Sequence, residues 1–268
     1  SLPSPGNPEV PASIVNQDKM FATFQDSRRW QDMLGLRFLC NVNEGIVKGY
    51  GGSIIQIVEA SQEKRISAIA DMILERKDKV KIILIAGPSS SGKTTFGKRL
   101  ALQLIVNGIR PVNLSIDNYF VDRENTPRDE NGDYDFEALE AIDVSLFNRQ
   151  LLSLVNGEEV AVPKFNFVTG SRYYDGEKLQ MRQNDVLIIE GTHGLTPQLT
   201  HLIPAEVKFK VYVCPLVNIS IDSSSYLHTS DNRLIRRIVR DYKFRNYSAT
   251  ETIARWASVR RGEDKYIY

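Results

Sequence analysis

The sequence predicts an α/β fold in which a mostly parallel, doubly wound sheet lies between two layers of helices. Two observations support this three-layer α/β/α arrangement. Four short runs are largely apolar, and segments with helical spacing separate them along the chain. Strands buried on both faces have such continuous apolar runs, and parallel strands need long crossover connections, which are usually helices. The four runs are residues 81–87, 111–117, 185–191 and 207–214.

The remaining elements follow in order along the chain. Residues 54–58 (IIQIV) are apolar and β-branched, which predicts a strand or a buried segment, and residues 59–77 have helical spacing. Further helices are predicted from the first of the four strands to about Asn107, over about 137–155, and after the last strand. The glycines of KGYGGS (48–53) predict a tight turn, because neither a GxGxxG pattern nor a following lysine marks a nucleotide loop.

Composition argues against several classes of protein. The 268 residues include 34 lysines and arginines and 33 acidic residues, a formal net charge of +1, whereas a dedicated nucleic-acid binder would usually be clearly basic. The ordinary apolar and charged content argues against disorder and against a coiled coil. Two distant cysteines, Cys40 and Cys214, cannot build a disulfide framework, and no apolar run is long enough for a membrane span. We therefore expect a cytoplasmic protein.

The chain is expected to have three parts. Four prolines among the first 13 residues predict that residues 1–17 form a disordered lead-in. Residues 18–78 are predicted as a small α+β extension, either the tail of a preceding accessory domain or a segment packed onto the core. Residues 79–268 would form the α/β domain. The ending RRGEDKYIY carries no turn or cap signal, so we expect the chain to be a piece of a longer protein.

The strongest motif is GPSSSGKT at residues 87–94, which fits the pattern GxxxxGK[ST] between a predicted strand and a predicted helix. Its glycines allow backbone N–H groups to curl around phosphate oxygens, and the helix N-terminus adds the positive end of its dipole. Lys93 would reach the β- and γ-phosphates of a nucleotide, and Thr94 would offer its hydroxyl to Mg²⁺. The motif predicts a P-loop NTPase fold with an ATP site.

Two further strands end in carboxylates. Asp117 ends PVNLSID, and Glu190 ends DVLIIE. Ligands of open parallel sheets bind beyond the carboxyl ends of the strands, so both carboxylates should converge on the P-loop. One could organise Mg²⁺ and the other could accept the proton of an attacking hydroxyl group, and spacing alone does not assign these roles.

Basic side chains are concentrated between residues 233 and 245, and four arginines there share one helical face. A solvated surface is the simpler interpretation of such a face. Beside a triphosphate, however, arginines on a mobile lid commonly stabilise developing charge, and we expect at least two of them to do so. The four are Arg233, Arg236, Arg237 and Arg240.

Residues 117–143 contain ten acidic and only two basic residues, in a turn-rich pattern that predicts a loop above the site. Aromatic side chains in this loop and in PKFNFVTGSRYYD (163–175) could stack on a flat acceptor such as a base, while about half of them should pack in the core. His193 is expected near the site, either as a packing residue or in contact with the substrate.

Taken together, these motifs resemble the uridine kinase and phosphoribulokinase family of P-loop kinases over residues 81–247. Uridine kinases have a very similar series in the same order. The segments that carry the resemblance are GPSSSGKTT (87–95), IDNYF (116–120), YDFEA (134–138), PKFNFVTGSR (163–172), IIEGTHGL (188–195) and RLIRRIVRDYKFR (233–245).

The resemblance implies an ATP- and Mg²⁺-dependent kinase that phosphorylates a hydroxyl group of a nucleoside or a related sugar-like molecule. It implies that Asp117 is the base, that Thr94 and Glu190 lie at Mg²⁺, and that Lys93, Arg237 and Arg240 act in the transfer. By the same resemblance, the ATP-binding residues would be Gly87, Ser89, Ser90, Ser91, Gly92, Lys93, Thr94, Thr95, Arg240 and Arg245. The acceptor would contact Asp117, Tyr119, Asp135, Phe165, Phe167, Arg172 and Arg237.

Three positions depart from the uridine kinase pattern. Phe165 replaces a usual tyrosine, Gly170 replaces a histidine that reads the pyrimidine, and Tyr247 replaces an arginine. A site that hydrogen-bonds its substrate loses heavily when such partners are missing. The alternative is therefore an ATP-binding regulatory module fused to a tRNA-synthetase-like region, to which residues 18–78 have a weak resemblance. An RNA-linked role is a third hypothesis, which is disfavoured because residues 1–78 contain no basic patch with interleaved aromatic residues. A homo-oligomer is a further hypothesis.

Overall fold

The computed structural model describes residues 3–4, 7–11, 18–130, 132–217 and 219–266, with side chains from residue 18 onward. In the predicted lead-in, β1 (Pro3–Ser4) pairs antiparallel with β2 (Asn7–Pro11). The rest of that segment, including residues 12–17, lies outside the described residues, and its disorder stays a prediction. None of the helices in the described ranges is long and apolar enough to cross a bilayer.

The chain forms two compact units. The first comprises Ser1–Ser53 and Leu216–His228, and the second comprises Ile54–Pro215 and Thr229–Tyr268. Within the first unit, the backbone of Ser220 pairs with Arg37 and Leu39. The predicted sheet and all the predicted site residues belong to the second unit. The domain division at residue 79 remains a prediction.

Helices and strands follow one another along the chain. The first helices are α1 (Asp18–Leu34), α2 (Leu39–Val47) and α3 (Gly51–Leu74). Then come β3 (Ile82–Ala86), α4 (Lys93–Val106), β4 (Arg110–Ser115) and α5 (Val144–Val155). Four short strands follow, β5 (Val160–Ala161), β6 (Lys164–Asn166), β7 (Ser171–Tyr173) and β8 (Lys178–Leu179). The last elements are β9 (Asp185–Glu190), β10 (Lys208–Tyr212), α6 (Thr229–Phe244) and α7 (Ala249–Tyr266).

The four apolar strands form one parallel sheet in the order β10-β3-β9-β4, as predicted. In its register, Glu190 pairs with Ile85 on one side and with Ser115 on the other. Glu190 therefore lies at the carboxyl edge of the sheet, one strand away from the start of the P-loop. Two antiparallel pairs, β5 with β8 and β6 with β7, lie outside this sheet.

Helices cover both faces of the sheet. In β3, Ile82 and Leu84 belong to one buried cluster with Phe147 of α5, because alternate side chains of a strand point to opposite faces. Ile83 and Ile85 belong to a second cluster. That second cluster includes Ile66 and Ile73 of α3 and Leu100 and Leu104 of α4. The predicted three-layer α/β/α arrangement is confirmed.

The structure differs from two of the predicted secondary-structure elements. The predicted strand at residues 54–58 is wrong, because this segment belongs to α3 and is largely exposed, with Ile55 at 61%. Periodicity alone does not separate a short apolar strand from a helical turn. The helix predicted over 137–155 begins only at Val144, where the Asp143 carboxylate accepts the Leu146 N–H at 2.9 Å as the N-cap. The tight turn of KGYGGS is present, with Gly49 at φ 84° between α2 and α3.

The two leucines of α4 offer a matched test of this core. Leu104 is fully buried and Leu102 is 62% exposed. We expect Leu104→Ala to lower the free energy of unfolding by about 2–5 kcal/mol, because truncation leaves a cavity under the sheet. Leu102→Ala should change it by no more than about 0.5 kcal/mol. Urea denaturation measures both, and equal midpoints for the two variants would contradict the assigned face of α4.

Candidate active site

The P-loop connects β3 to α4 in a conformation that only some residues accept. Ser90 has φ 59° and Gly92 has φ 98°, both in the left-handed region. A Cβ on Gly87 would lie 2.1 Å from the carbonyl oxygen of Val213, so only glycine fits there. Gly92 is the N-cap of α4, and Lys93 is its first residue. Backbone N–H groups of the loop and the helix N-terminus therefore form an anion-binding turn.

A buried ion pair holds this loop from outside. Glu263 of α7 and Arg233 of α6 form two hydrogen bonds, of 2.5 and 2.8 Å, and both side chains are at most 1% exposed. The Ser89 N–H donates to Glu263 at 2.8 Å, and Arg233 donates to the Ser89 carbonyl at 3.2 Å. The pair thus hydrogen-bonds both the backbone N–H and the backbone carbonyl of one P-loop residue. Arg233 belongs to the arginine face that the sequence predicted, but it is bonded inside the protein rather than solvated.

Glu190 and Thr94 meet at the end of β9. The Thr94 hydroxyl donates to Glu190 Oε1 at 3.1 Å, and the Ser115 hydroxyl approaches the same oxygen at 3.4 Å. Burial raises the pKa of Glu190 above its usual range, and the nearby charge of Asp117 raises it further. Asp117 lies in the turn after β4 and lines the same cavity. The predicted convergence of these two carboxylates on the P-loop is therefore present in the structure.

Lys93 is folded back against the P-loop. Its Nζ donates to the carbonyl oxygen of Gly87 at 2.8 Å and to that of Pro88 at 3.2 Å. Burial lowers the pKa of Lys93, and the charges of Asp117 and Glu190 oppose that shift. A phosphate group in the loop would offer this buried ammonium a better counter-charge than two carbonyl dipoles.

Arginines of α6 reach the same loop. Arg236 donates to the Ser90 carbonyl at 3.0 Å, and Arg237 donates to the Ser89 hydroxyl at 2.7 Å. Arg240 pairs with Asp241 at 2.8 Å. Burial lowers the pKa of Arg237.

Asp241, which the sequence did not single out, is nearly buried and holds three arginines in place. Besides Arg240, it pairs with Arg237 at 3.3 Å and with Arg245 at 3.9 Å. A single carboxylate among three guanidinium groups leaves net positive charge facing the cavity.

One cavity of about 690 Å³ contains these groups and extends to an aromatic wall. Phe120, Phe165 and Phe167 form this wall, with ring centroids 5.2–6.1 Å apart. The guanidinium of Arg245 lies 4.6 Å from the centre of the Phe167 ring. The cavity thus has the charged groups of the P-loop region at one end and aromatic rings, with Arg245 beside them, at the other.

Most of the predicted site residues line this cavity, and five do not. Gly87 and Ser91 belong to the P-loop but not to the lining. Tyr119 is fully buried in the core, where its hydroxyl donates to Gln150 at 2.7 Å. Arg172 pairs with Asp143 at 2.9 Å, and Asp135 accepts the Glu137 N–H at 3.1 Å. The predicted residues in the lining are Ser89, Ser90, Gly92, Lys93, Thr94, Thr95, Asp117, Phe165, Phe167, Glu190, Arg237, Arg240 and Arg245.

Sequence reasoning missed several residues of the site. Glu137 lies within YDFEA, lines the cavity at 4.0 Å from Arg237, and has a pKa raised by burial. His193, by contrast, was expected near the site, and it lines the cavity and packs edge-on against Tyr266 at 4.6 Å between ring centroids. The position of His193 just after a predicted strand indicated that it lies near the site. No motif around Glu263 indicated its contact with the P-loop.

The donor groups of the loop fit a nucleoside triphosphate with Mg²⁺. The hydroxyl oxygens of Ser90 and Ser91 are buried without a hydrogen-bond partner among the described residues. Such orphaned groups, beside Lys93 and several arginines, suit phosphate oxygens. Within the same residues, no three carboxylate, histidine or cysteine side chains form a metal cluster. Mg²⁺ is typically held by one or two protein oxygens, phosphates and water, and the Thr94–Glu190 pair fits that pattern.

The buried pair gives a direct prediction. Glu263→Gln removes the counter-charge of Arg233, and we expect it to lower the free energy of unfolding by about 3–5 kcal/mol. It should also weaken nucleotide binding, because the charge-assisted hydrogen bond that holds the backbone N–H of Ser89 is weakened. Asp264→Asn is the matched control, since Asp264 is exposed and, within the described ranges, forms an ion pair only with Arg260, at 3.6 Å. Thermal denaturation and titration calorimetry with ATP measure both effects, and Glu263→Gln behaving like Asp264→Asn would contradict the role of Glu263 in holding the P-loop.

A second prediction concerns pH. Burial lowers the pKa of His193 from 6.5 to about 4. Between these values the unfolded chain binds a proton that the folded chain does not, so stability falls as the pH falls from about 6.5 to 4, by up to about 3 kcal/mol. His193→Asn should lose this slope, whereas His201→Asn, at an exposed position, should keep it. Urea titrations across this pH range measure the slopes, and equal slopes would contradict the burial argument.

Comparisons with known proteins agree with this geometry. A family model described as "Phosphoribulokinase / Uridine kinase family" matches residues 82–268. The uridine kinase of Schizosaccharomyces pombe is 33% identical over 173 residues, which cover 62% of this chain and only 33% of that protein. The uridine kinase of Staphylococcus aureus (strain JH9) is 29% identical over 187 residues, covering 69% of this chain and 81% of that protein.

Among solved structures, a protein described as a fructose transport system kinase, from Silicibacter sp. TM1040, has a similar fold. Its TM-score is 0.51 at 18% identity, over 74% of this chain and 94% of that chain. At this identity the likeness concerns the fold alone. It agrees with a parallel sheet between two helical layers.

Proposed function

The chain belongs to the phosphoribulokinase / uridine kinase family of small-molecule kinases, and we propose that it transfers the γ-phosphoryl group of ATP to a hydroxyl group of a nucleoside or a related sugar-like acceptor. The observation that supports this proposal best is that one cavity contains the P-loop, two strand-end carboxylates and an aromatic wall. A hydrolase would need no such wall, whereas a phosphotransferase must hold a second substrate next to the phosphate.

In this proposal the P-loop binds the phosphates. Backbone N–H groups around Ser90 and Gly92 would donate to phosphate oxygens, and Lys93 would exchange its carbonyl partners for phosphate oxygens. Thr94 and Glu190 would hold Mg²⁺, which neutralises phosphate charge when bound. The raised pKa of Glu190 favours metal binding at neutral rather than acidic pH, because the metal needs the carboxylate form.

Asp117 is the proposed base. It lines the cavity with Lys93 and Glu190. The family resemblance implies that the acceptor hydroxyl would lie next to it. Its carboxylate would orient the hydroxyl group and accept its proton during transfer. A hydroxyl group held in this orientation would attack the γ-phosphorus in line. Because both reactants are already positioned, the entropic cost of bringing them together is paid on binding.

The arginines of α6 would stabilise the charge that develops on the transferring group. Arg237 and Arg240 line the cavity together with the P-loop residues, and Asp241 pairs with both side chains and orients them. Preorganised cations need little reorganisation at the moment of transfer, so their electrostatic effect is large. The regulatory alternative gains no support, because Lys93, Asp117 and Glu190 are all in place.

The role of Asp117 predicts a specific loss. Asp117→Asn should lower kcat by about 10²–10⁴-fold, because the hydroxyl loses its proton acceptor, while the affinity for ATP stays within a few-fold. Asp133→Asn is the control, since Asp133 is an exposed carboxylate of the same acidic loop. A coupled assay of ADP release with a nucleoside and sugar panel measures kcat, and calorimetry measures ATP binding. Full activity of Asp117→Asn with an intact fold would contradict the role of Asp117 as the base.

A further inference from the structure

Arg123 fills the space beside Gly170, the position at which uridine kinases usually carry a pyrimidine-reading histidine. Gly170 has φ +71°, and a Cβ there would lie 2.6 Å from Nε and 2.9 Å from Cβ of Arg123. The backbone N–H of Arg123 donates to the backbone carbonyl of Gly170 at 2.8 Å, so a main-chain hydrogen bond holds the two residues together. The glycine and the arginine are thus a matched pair, because a side chain at residue 170 would displace the arginine.

Arg123 lines the cavity near the aromatic wall, and only some of the N–H donors of its guanidinium group are used within the described residues. Its Nη2 donates to the Phe167 carbonyl at 3.0 Å. Among the described residues it forms no ion pair with a carboxylate. The carboxylate of the preceding residue, Asp122, accepts the backbone N–H of Arg172 at 2.8 Å. A half-buried guanidinium has five N–H donors in a fixed fork, which suits a carboxylate or a phosphate.

The surroundings also favour an anion over a neutral ligand. The three phenylalanine rings of the aromatic wall offer no hydrogen-bonding group, whereas Arg123 brings hydrogen-bond donors to the same cavity. Arg245 adds a second cation above the Phe167 ring. Of the charged residues that line the cavity, eight are basic and four are acidic, which makes its field attractive to anions.

We propose that Arg123 binds an anionic group of the acceptor, so that the preferred substrate is a hydroxylated carboxylate or phosphate ester rather than a neutral nucleoside. This inference rests on the proposed function, because it specifies the substrate class of the same cavity. Arg123 is then a specificity-determining residue that takes over from the absent histidine and tyrosine. The loss of uridine-reading groups at residues 165 and 170 reflects a changed acceptor rather than lost catalysis.

Matched acceptors test the charge preference. Ribose, ribonate and ribose 5-phosphate share a polyol chain and differ in charge, and uridine serves as the neutral nucleoside. Coupled ADP release should give a kcat/KM at least about 10-fold higher for one or both anionic compounds than for ribose or uridine. Comparing ribonate with ribose 5-phosphate distinguishes a carboxylate site from a phosphate site.

Variants then assign the preference to Arg123. Arg123→Gln should raise KM for the preferred anion by about 10–10³-fold and leave the KM for ATP unchanged. Gly170→Ala should have a similar effect, because its Cβ displaces the guanidinium. Arg149→Gln, an exposed arginine of α5, is the charge-matched control and should change neither KM. Circular dichroism monitors folding, and Arg123→Gln keeps the test valid where Gly170→Ala does not fold.

The outcomes separate this inference from the proposed function. Turnover of uridine in preference to both anions, or an unchanged KM in Arg123→Gln, would overturn the inference and leave the kinase activity standing. Absence of turnover with every acceptor would count against the proposed function instead. In that case thermal-shift titration with ribose 5-phosphate and ribonate decides the inference, because Arg123→Gln must weaken binding of at least one of them and unchanged binding of both overturns it.

Discussion

The geometry of the site depends on the buried ion pair between Arg233 and Glu263. A P-loop with left-handed backbone at Ser90 is strained on its own, and such conformations persist only where the surrounding structure holds them. The pair hydrogen-bonds the backbone N–H and the backbone carbonyl of Ser89. Arg233 and Glu263 also neutralise each other's buried charge. The loop that would bind phosphate is therefore held by helices α6 and α7, which follow the sheet in sequence.

The parallel sheet then determines which chemistry can meet at that loop. Since β3, β9 and β4 are adjacent and parallel, their carboxyl ends bring together the P-loop, Glu190 and Asp117. The formal net charge of +1 conceals this local separation of charge. Acidic residues concentrate on the loop after β4 and basic residues on α6, and both segments contribute to one cavity.

The fold, and the convergence of the candidate site residues on one cavity, could largely be predicted from the sequence. The resemblance to the phosphoribulokinase / uridine kinase family is confirmed, and local motifs together with the strand-end rule indicated Lys93, Asp117 and Glu190. Contacts between distant residues could not be predicted. Nothing local to Glu263 indicates that it bonds Ser89, 174 residues away in sequence. Likewise, only the folded structure places Tyr119 in the core and Arg123 beside Gly170, because tertiary packing decides which loop aromatics and cations reach the cavity.

The central claim is that this cavity transfers a phosphoryl group to a hydroxyl group. The most direct measurement follows the γ-phosphoryl group of labelled ATP into products separated by mass spectrometry, in the presence of Mg²⁺ and a mixture of hydroxylated acceptors. If the cavity catalyses phosphoryl transfer, ADP and one phosphorylated acceptor form in equal amounts. Formation of ADP with inorganic phosphate alone, or no ADP despite bound ATP, would contradict it.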